Sequence, residues 1–166
     1  MRQENINKIL RVYFEYPGKK FTVRTLASLT KIPRSSVQVL LNDLKKEKLL
    51  DKNNESIASI YFNIKKINYF IDEITKIGLI DYLVEELNPS LIILFGSFRK
   101  GESDKESDVD LFIESLVKKE LDLGKFEKKL NHKIDLFVES NINNLQENLF
   151  NNVVNGIKIY GSFKIK

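Results

Sequence analysis

The most constraining feature of the sequence is a pair of aspartates set into an apolar segment. Leu91–Phe95 is continuously apolar, and Gly96 and Ser97 end this run. After ten intervening residues, Asp108 and Asp110 open a second apolar run. Short apolar runs predict strands that are covered on both faces. Because alternate side chains of a strand share a face, Asp108 and Asp110 are predicted to point the same way.

A third acid, Asp135, interrupts a later apolar strand, and a helix near 121–130 is predicted to cross between the two acidic strands. Burying an unpaired carboxylate is costly, so three such groups are predicted to be paired, protonated or bound to a cation. The chain has no cysteine and one histidine, so oxygen ligands favour Mg²⁺ or Mn²⁺ over zinc. The alternative is that Asp108 caps its strand, Asp110 faces solvent and Asp135 lies on an edge.

The residues between the two apolar runs have the chemistry of a phosphate site. Gly96 has no Cβ, so the backbone can approach a ligand closely, and Ser97 offers a hydroxyl and an N–H. Arg99 and Lys100 follow, and exposed N–H groups beside two cations suit a loop that holds phosphate oxygens. The alternative is an ordinary turn with solvated charges.

This spacing resembles a known signature. Gly96-Ser97, ten residues and then Asp108-Val109-Asp110 are similar to the motif of minimal nucleotidyltransferases, members of the DNA polymerase beta-like superfamily. Residues 148–161 also resemble the helix, glycine turn and last strand of those domains. The resemblance covers about residues 80–162 and implies an α/β (α+β) nucleotidyltransferase domain with a mixed sheet.

The resemblance also implies a reaction and a role for each matched residue. Gly96 and Ser97 would hold the triphosphate, Asp108 and Asp110 would bind metal, and Asp135 would share a second metal or act as base. The implied reaction transfers a nucleoside monophosphate, AMP in the first instance, to a hydroxyl. It uses ATP or another NTP as substrate and Mg²⁺ (or Mn²⁺) as cofactor. Such an in-line displacement at the α-phosphorus is assisted by cations that clamp the attacking and leaving oxygens.

The implied acceptor is a protein. Minimal nucleotidyltransferases resemble the antitoxin halves of toxin–antitoxin pairs, which modify a tyrosine hydroxyl on a helical ribonuclease partner. One alternative is a DNA-binding transcriptional regulator whose nucleotidyltransferase domain only binds nucleotide or a partner. Another is a small-molecule nucleotidyltransferase of the antibiotic-modifying kind, which usually needs a further helical domain that the residues after Asp135 are too few to form.

The charge of the chain is unevenly distributed. Residues 1–66 carry 14 lysine and arginine residues against 6 acidic residues, whereas residues 67–166 carry 13 against 17. Such asymmetry indicates a basic module that meets a polyanion, joined to an acidic module. The alternative is that both halves have ordinary solvated surfaces whose net charges differ by chance.

The basic half has the element order of a winged helix-turn-helix. Apolar spacing predicts helices at about 6–16, 22–29 and 33–46, with Thr22 as a cap, and 59–64 as the returning strand of a hairpin. The order resembles that family over roughly residues 3–64. The resemblance implies contacts with double-stranded DNA: the major groove would meet Arg34, Ser35, Ser36 and Gln38, and phosphates would meet Lys52 of the wing with Lys19, Lys20, Arg24 and Lys31. The alternative is a helical domain used for dimerisation or protein contact.

We therefore predict three segments: a winged helix-turn-helix domain at 1–65, connecting helices at 66–88 and a minimal nucleotidyltransferase domain at 89–166. The connecting helices are expected to join at Gly78 and to end at Asn88-Pro89. The chain shows no membrane-length apolar run and no signal-peptide layout, so a cytoplasmic protein without a membrane partner is expected. A homodimer is a further candidate assembly.

Overall fold

The computed structural model describes residues 2–162 and residue 164, and the chain forms two compact units, Met1–Lys66 and Ile67–Lys166. Each unit is described by itself. The three-segment division drawn from the sequence stays a prediction, and residues 1, 163, 165 and 166 of its outer segments lie outside the described residues. No helix among the described residues combines the length and the apolar character needed to cross a membrane.

The first unit contains three helices, α1 (Arg2–Glu15), α2 (Val23–Thr30) and α3 (Arg34–Lys46). The predicted cap of α2 is present, because the Thr22 hydroxyl accepts a hydrogen bond from the Thr25 N–H at 3.1 Å. One apolar side of each helix faces a common core. Its fully buried members include Ile9, Tyr13, Leu26, Val37, Leu41 and Leu49.

The segment 59–64, predicted as a returning strand, is the start of a helix, α4 (Ile60–Lys76). A strand would bury every second residue, but Phe62 is only 3% exposed while Ile60 and Ile64 are 80% and 49% exposed. Buried positions then recur at residues 66, 70 and 74, four apart, which is helical spacing. The strand prediction is therefore wrong.

Ser59 explains why a helix begins here. Its hydroxyl accepts a hydrogen bond from the backbone N–H of Phe62 at 3.1 Å, the contact that a good N-cap residue makes. The predicted hairpin is reduced to one antiparallel bridge between Leu50 and Ser56. The first unit thus has three helices and a short bridged turn before α4.

Within the described residues, the second unit is built on a four-stranded mixed sheet of β1 (Leu91–Phe95), β2 (Val109–Glu114), β3 (Ile134–Glu139) and β4 (Ile157–Gly161), in the order β3-β2-β1-β4. The predicted mixed sheet is confirmed: β1 is antiparallel to both β2 and β4, whereas β2 and β3 are parallel. A 3₁₀ turn at Ile142–Asn144 follows β3. The elements in chain order are α5 (Leu79–Leu87), β1 (Leu91–Phe95), α6 (Gly96–Lys100), β2 (Val109–Glu114), α7 (Gly124–Leu130), β3 (Ile134–Glu139), α8 (Glu147–Val154) and β4 (Ile157–Gly161).

The connections of the second unit follow from its turn residues and from strand direction. Gly78 (φ +79°) and Asn88 (φ +43°) flank α5 in the left-handed region, as expected for the predicted joint and helix end. The parallel pair β2 and β3 needs a crossover, and α7 supplies it where the sequence predicted a helix.

Helix α8 packs closely on β1, and this packing depends on a glycine. A Cβ at Gly156 would lie 2.3 Å from Cγ2 of Ile93 and 2.7 Å from the carbonyl oxygen of Leu94. Val153 of α8 is fully buried in the same apolar cluster as Ile93. Position 156 therefore admits only glycine, and α8 is held against the strand that ends at the predicted phosphate turn.

Candidate active site

The three acids predicted from the sequence meet at one end of the sheet. Asp110 of β2 pairs in register with Asp135 of the parallel strand β3, and neighbouring strands lie about 4.8 Å apart. Asp108 lies two residues before Asp110, immediately ahead of β2. The sheet therefore pairs two acids, Asp110 and Asp135, that are 25 residues apart in the sequence.

The burial of these acids differs from the expectation. Asp110 is partly buried, but Asp108 and Asp135 are exposed. Asp108 is exposed to solvent because it lies in the loop before β2. Asp135 is exposed because β3 is an edge strand. The expectation of three carboxylates within covered strands is thus wrong for Asp108 and Asp135, and of the three acids only Asp110 is partly shielded from solvent.

The electrostatics of the three acids centre on Asp110. Burial raises the pKa of its carboxyl group above the usual value, and the charges of Asp135 and Asp108 raise it further. All three causes disfavour the ionised form, which a cation would favour. The charges of Asp108 and Asp135 therefore both act on the Asp110 carboxylate.

Gly96 completes this end of the sheet. The residue before it, Phe95, is the strand partner of Asp110, and Gly96 itself has φ +68°. A Cβ at position 96 would lie 2.0 Å from Oδ2 of Asp110. The absence of a side chain at Gly96 is therefore required for the Asp110 carboxylate to occupy its position.

The charged segment after Gly96 is a short helix and not the predicted loop. Arg99 and Lys100 belong to the last turn of α6, which ends at Gly101 (φ +72°). Ser97 and Arg99 are half-buried, and Lys100 is exposed. Neither cation forms an ion pair with another of the described residues. Both cations thus stay within the turn that follows β1.

The loop that leads to Asp108 is held by its own hydrogen bonds and by His132. The Ser107 hydroxyl accepts a hydrogen bond from the Asp104 N–H at 2.9 Å. Nδ1 of His132 lies 2.9 Å from the Ser107 carbonyl oxygen, which can only accept, so this nitrogen carries the proton. The buried imidazole also packs edge-on against Phe98 at 5.0 Å between ring centres. His132, which the sequence left without a role, therefore fixes the backbone next to Asp108.

Two clefts adjoin these residues. One has a volume of about 510 Å³, includes Asp108 and is lined by both signs of charge, with Lys105, Lys128 and Lys133 beside Glu106 and Glu127. The other, of about 290 Å³, is lined by Gly96, Arg99, Lys100, Asn151, Asn152 and Asn155.

The asparagines of the smaller cleft were missed by sequence reasoning. They belong to the segment 148–161, which contributed only its resemblance to a helix, a glycine turn and a strand. A signal was present, because asparagine recurs at 148, 151, 152 and 155, a spacing that places several amides along one side of a helix.

The donor set fits a hard divalent cation. Asp108, Asp110 and Asp135 offer only carboxylate oxygens, which Mg²⁺ and Mn²⁺ prefer. Within residues 2–162, no group of three or more Asp, Glu, His or Cys side chains is arranged so that it could hold a metal ion by itself. Mg²⁺ is held by one or two carboxylates together with substrate phosphates more often than by a protein cage. These acids therefore fit as the protein's share of such a site.

The residues predicted to meet DNA lie in the first unit. Arg34, Ser35 and Gln38 are exposed on the first turns of α3, and Ser36 beside them is half-buried. Lys52 is exposed in the bridged turn between Leu50 and Ser56, and its carbonyl oxygen accepts a hydrogen bond from Lys45 Nζ at 3.3 Å. Their role stays a prediction.

The mixed sheet and its helices are those of a nucleotidyltransferase domain. The family model described as a nucleotidyltransferase domain matches residues 76–160, just over half of the 166 residues. The chain therefore belongs to the nucleotidyltransferase domain family. The matched segment includes Gly96, Asp108, Asp110 and Asp135. No curated protein and no solved structure gave a significant match.

Proposed function

We propose that the protein transfers a nucleoside monophosphate, AMP from ATP in the first instance, to a hydroxyl group, with Mg²⁺ or Mn²⁺ as cofactor. The observation that carries the proposal is the cluster formed by Asp110, its register partner Asp135 and Gly96, whose missing side chain makes room for the Asp110 carboxylate. Asp108 adds a third carboxylate two residues away. The cluster lies within the segment that matches the family model.

The roles follow from the chemistry of the displacement. The acceptor oxygen attacks the α-phosphorus, the bond from that phosphorus to the bridging oxygen breaks, and pyrophosphate leaves with the bonding electron pair. Asp135 is exposed and adjacent to Asp110, which supports a role as the base that would take the hydroxyl proton. Asp108 and Asp110 would hold the cation, which when bound supplies charge stabilisation for the phosphate oxygens.

The phosphate roles fall on α6 and its glycine. Gly96 and Ser97 begin α6, where backbone N–H groups have no partner within the helix. Arg99 and Lys100 supply positive charge at the same turn without an ion-pair partner among the described residues. These four residues would orient the triphosphate against the acids.

A protein hydroxyl is the proposed acceptor. Asp108 and Asp135 are exposed, so a hydroxyl carried by a macromolecule can reach them without entering a closed pocket. The resemblance to antitoxin-type minimal nucleotidyltransferases points to a tyrosine of a helical ribonuclease partner. A toxin–antitoxin role is therefore part of the proposal. The proposed acceptor is a side chain on the surface of the folded partner protein.

The proposal is tested by a transfer assay with each of four NTPs labelled at the α-phosphate, added to the protein and a lysate of its source. We expect label to appear on a macromolecule only with Mg²⁺ or Mn²⁺ and to vanish with EDTA. Protease digestion should release it, whereas nucleases should not. Absence of label with every NTP would favour the alternative, a DNA-binding regulator whose nucleotidyltransferase domain only binds nucleotide or a partner.

Duplex DNA binding by the first unit is a second candidate function, and the exposed start of α3 favours it. Helices α2 and α3 are separated by three residues, a turn length that supports a helix-turn-helix, and one antiparallel bridge lies where a winged helix would have its hairpin. Arg24, Lys31 and Arg34 make no ion pair with the described residues, so their charge is available to phosphates.

Binding to duplex DNA should depend on salt and on Arg34. We expect Arg34→Ala to weaken a gel shift about tenfold, and to lower the slope of log affinity against log salt by about 1. The control is Lys8→Ala, which removes the same charge from an exposed residue already paired with Glu4 at 2.8 Å. A shift that is absent at low salt, or equal for the two variants, would contradict DNA binding through α3.

A further inference from the structure

The smaller cleft of the second unit joins α6 to α8, two elements about 50 residues apart in the sequence. It has a volume of about 290 Å³ and shares Gly96 with the acid cluster. Helix α8 is held beside this cleft, because Val153 is fully buried and Gly156 lies directly against β1. The cleft is therefore a fixed feature beside the acids.

The charge of this cleft is positive. Arg99 and Lys100 line it, no acidic residue does, and neither cation has an ion pair among the described residues. An uncompensated pair of cations in a concave surface attracts anions. The ligand of the cleft is therefore expected to be an anion.

The opposite wall supplies neutral hydrogen-bond donors. Asn151, Asn152 and Asn155 are exposed on α8, and Asn155 Nδ2 donates to the Asn151 carbonyl oxygen at 2.7 Å. The side-chain carboxamides of Asn151 and Asn152 make no hydrogen bond to other described residues. Each carries two N–H donors. Two cations facing carboxamide donors match the oxygens of a phosphate chain.

The lining also argues against a nucleobase in this cleft. No aromatic side chain lines it, and bases bound without sequence readout are commonly held by stacking on such side chains. We propose that Asn151 and Asn152, with Arg99 and Lys100 opposite, bind the β- and γ-phosphates of the nucleoside triphosphate. This assignment rests on the proposed function and extends it to side chains of α8.

Binding of inorganic tripolyphosphate, measured by calorimetry with and without Mg²⁺, tests the assignment without requiring transfer. The variants are Asn151→Asp and Asn152→Asp, which keep the side-chain shape but replace two donors with a negative charge. The control is Asn148→Asp, an exposed residue one turn earlier on α8 that does not line the cleft. Thermal unfolding of each variant checks that the fold is intact, and Asn151→Ala and Asn152→Ala repeat the test without added charge.

We expect each aspartate variant to bind tripolyphosphate about tenfold more weakly than the wild-type protein does, and each alanine variant to bind it severalfold more weakly. The affinity of the control should stay within about twofold of the wild-type value. AMP, which lacks the β- and γ-phosphates, should bind all of them alike. Wild-type protein that does not bind tripolyphosphate, or variants that bind it as the control does, would overturn the assignment.

The two proposals fail separately. If the asparagine variants lose tripolyphosphate while wild-type protein transfers no nucleotide, the cleft assignment stands and the transfer is rejected. If transfer occurs with normal ATP dependence in both aspartate variants, the transfer stands and the cleft assignment is rejected.

Discussion

Replacing Asp110 by asparagine should lower the rate of nucleotidyl transfer by about 10³-fold or more. The side chain keeps its size, so the change removes only the negative charge that would hold a cation against the phosphates. Asp110 is the acid for which this charge matters most, because it is partly buried and lies between Asp108 in sequence and Asp135 in the sheet. The measurement is the initial rate of label transfer at saturating ATP and Mg²⁺.

A measurement of thermal stability distinguishes this loss of activity from unfolding of the Asp110→Asn protein. The folded state raises the pKa of Asp110, so it binds that proton more tightly than the unfolded chain does. This contribution therefore favours folding at low pH and is lost as the pH rises through the folded pKa. At neutral pH the ionised carboxylate destabilises the fold, and Asp110→Asn should raise the thermal midpoint in metal-free buffer.

The control for Asp110→Asn is Glu139→Gln, at the other end of the neighbouring strand β3. Glu139 forms an exposed ion pair with Lys118 at 3.2 Å, and exposed ion pairs contribute little to stability. Glu139→Gln should leave the transfer rate unchanged. An Asp110→Asn protein that keeps a tenth of the wild-type rate would contradict the assigned role.

Replacing Gly96 by alanine should damage both activity and stability. The new Cβ would lie 2.0 Å from Asp110 Oδ2, so the carboxylate or the backbone must move. A displacement of about 1 Å in a reacting geometry can cost about 100-fold in rate. The φ of +68° adds backbone strain of about 1–3 kcal/mol for a residue with a side chain.

Gly78→Ala is the matched control, because Gly78 has φ +79° but nothing within 4 Å of its Cβ position. Both variants should lose stability from the left-handed backbone, and urea unfolding should show a larger loss for Gly96→Ala. Only Gly96→Ala should lose transfer activity. Equal activity in the two variants would show that the contact between position 96 and Asp110 has no part in the reaction.

The sheet and its acids could be predicted from the sequence because the signal is local. Leu91–Phe95 is apolar at every position, and Asp110 and Asp135 stand out as charges inside such runs. A turn residue, Gly96, follows the first run at once. Each of these patterns needs only a few neighbouring residues, so the strands and the turn at Gly96 follow without knowledge of tertiary structure.

The segment 59–64 shows where local pattern fails. Its isoleucine, tyrosine and phenylalanine favour a strand by propensity, which tertiary context readily overrides. The Ser59 cap and the burial of positions 62, 66, 70 and 74 decide for a helix. The helical spacing of the buried positions extends over this segment and the ten residues after it. It therefore does not show within residues 59–64 alone.

The helical spacing of Asn151 and Asn152 is visible in the sequence, but the cleft that they line with α6 could not be predicted because it depends on distant packing. Asn151 and Asn152 meet α6 only because α8 packs on β1 and β4 pairs with that same strand. A single sequence does not specify which strand lies beside β1. The edge position of Asp135 could be stated only as an alternative for a related reason, since the place of β3 in the sheet is a property of strand order.

The most direct test of nucleotidyl transfer compares ATP labelled at the α-phosphate with ATP labelled at the γ-phosphate, using wild-type protein and Asp110→Asn. Transfer of the nucleoside monophosphate predicts that the α label becomes attached to the acceptor while the γ label leaves in pyrophosphate. Neither label should be attached by Asp110→Asn. Attachment of the γ label, or attachment of the α label that does not depend on Asp110, would contradict the proposed reaction.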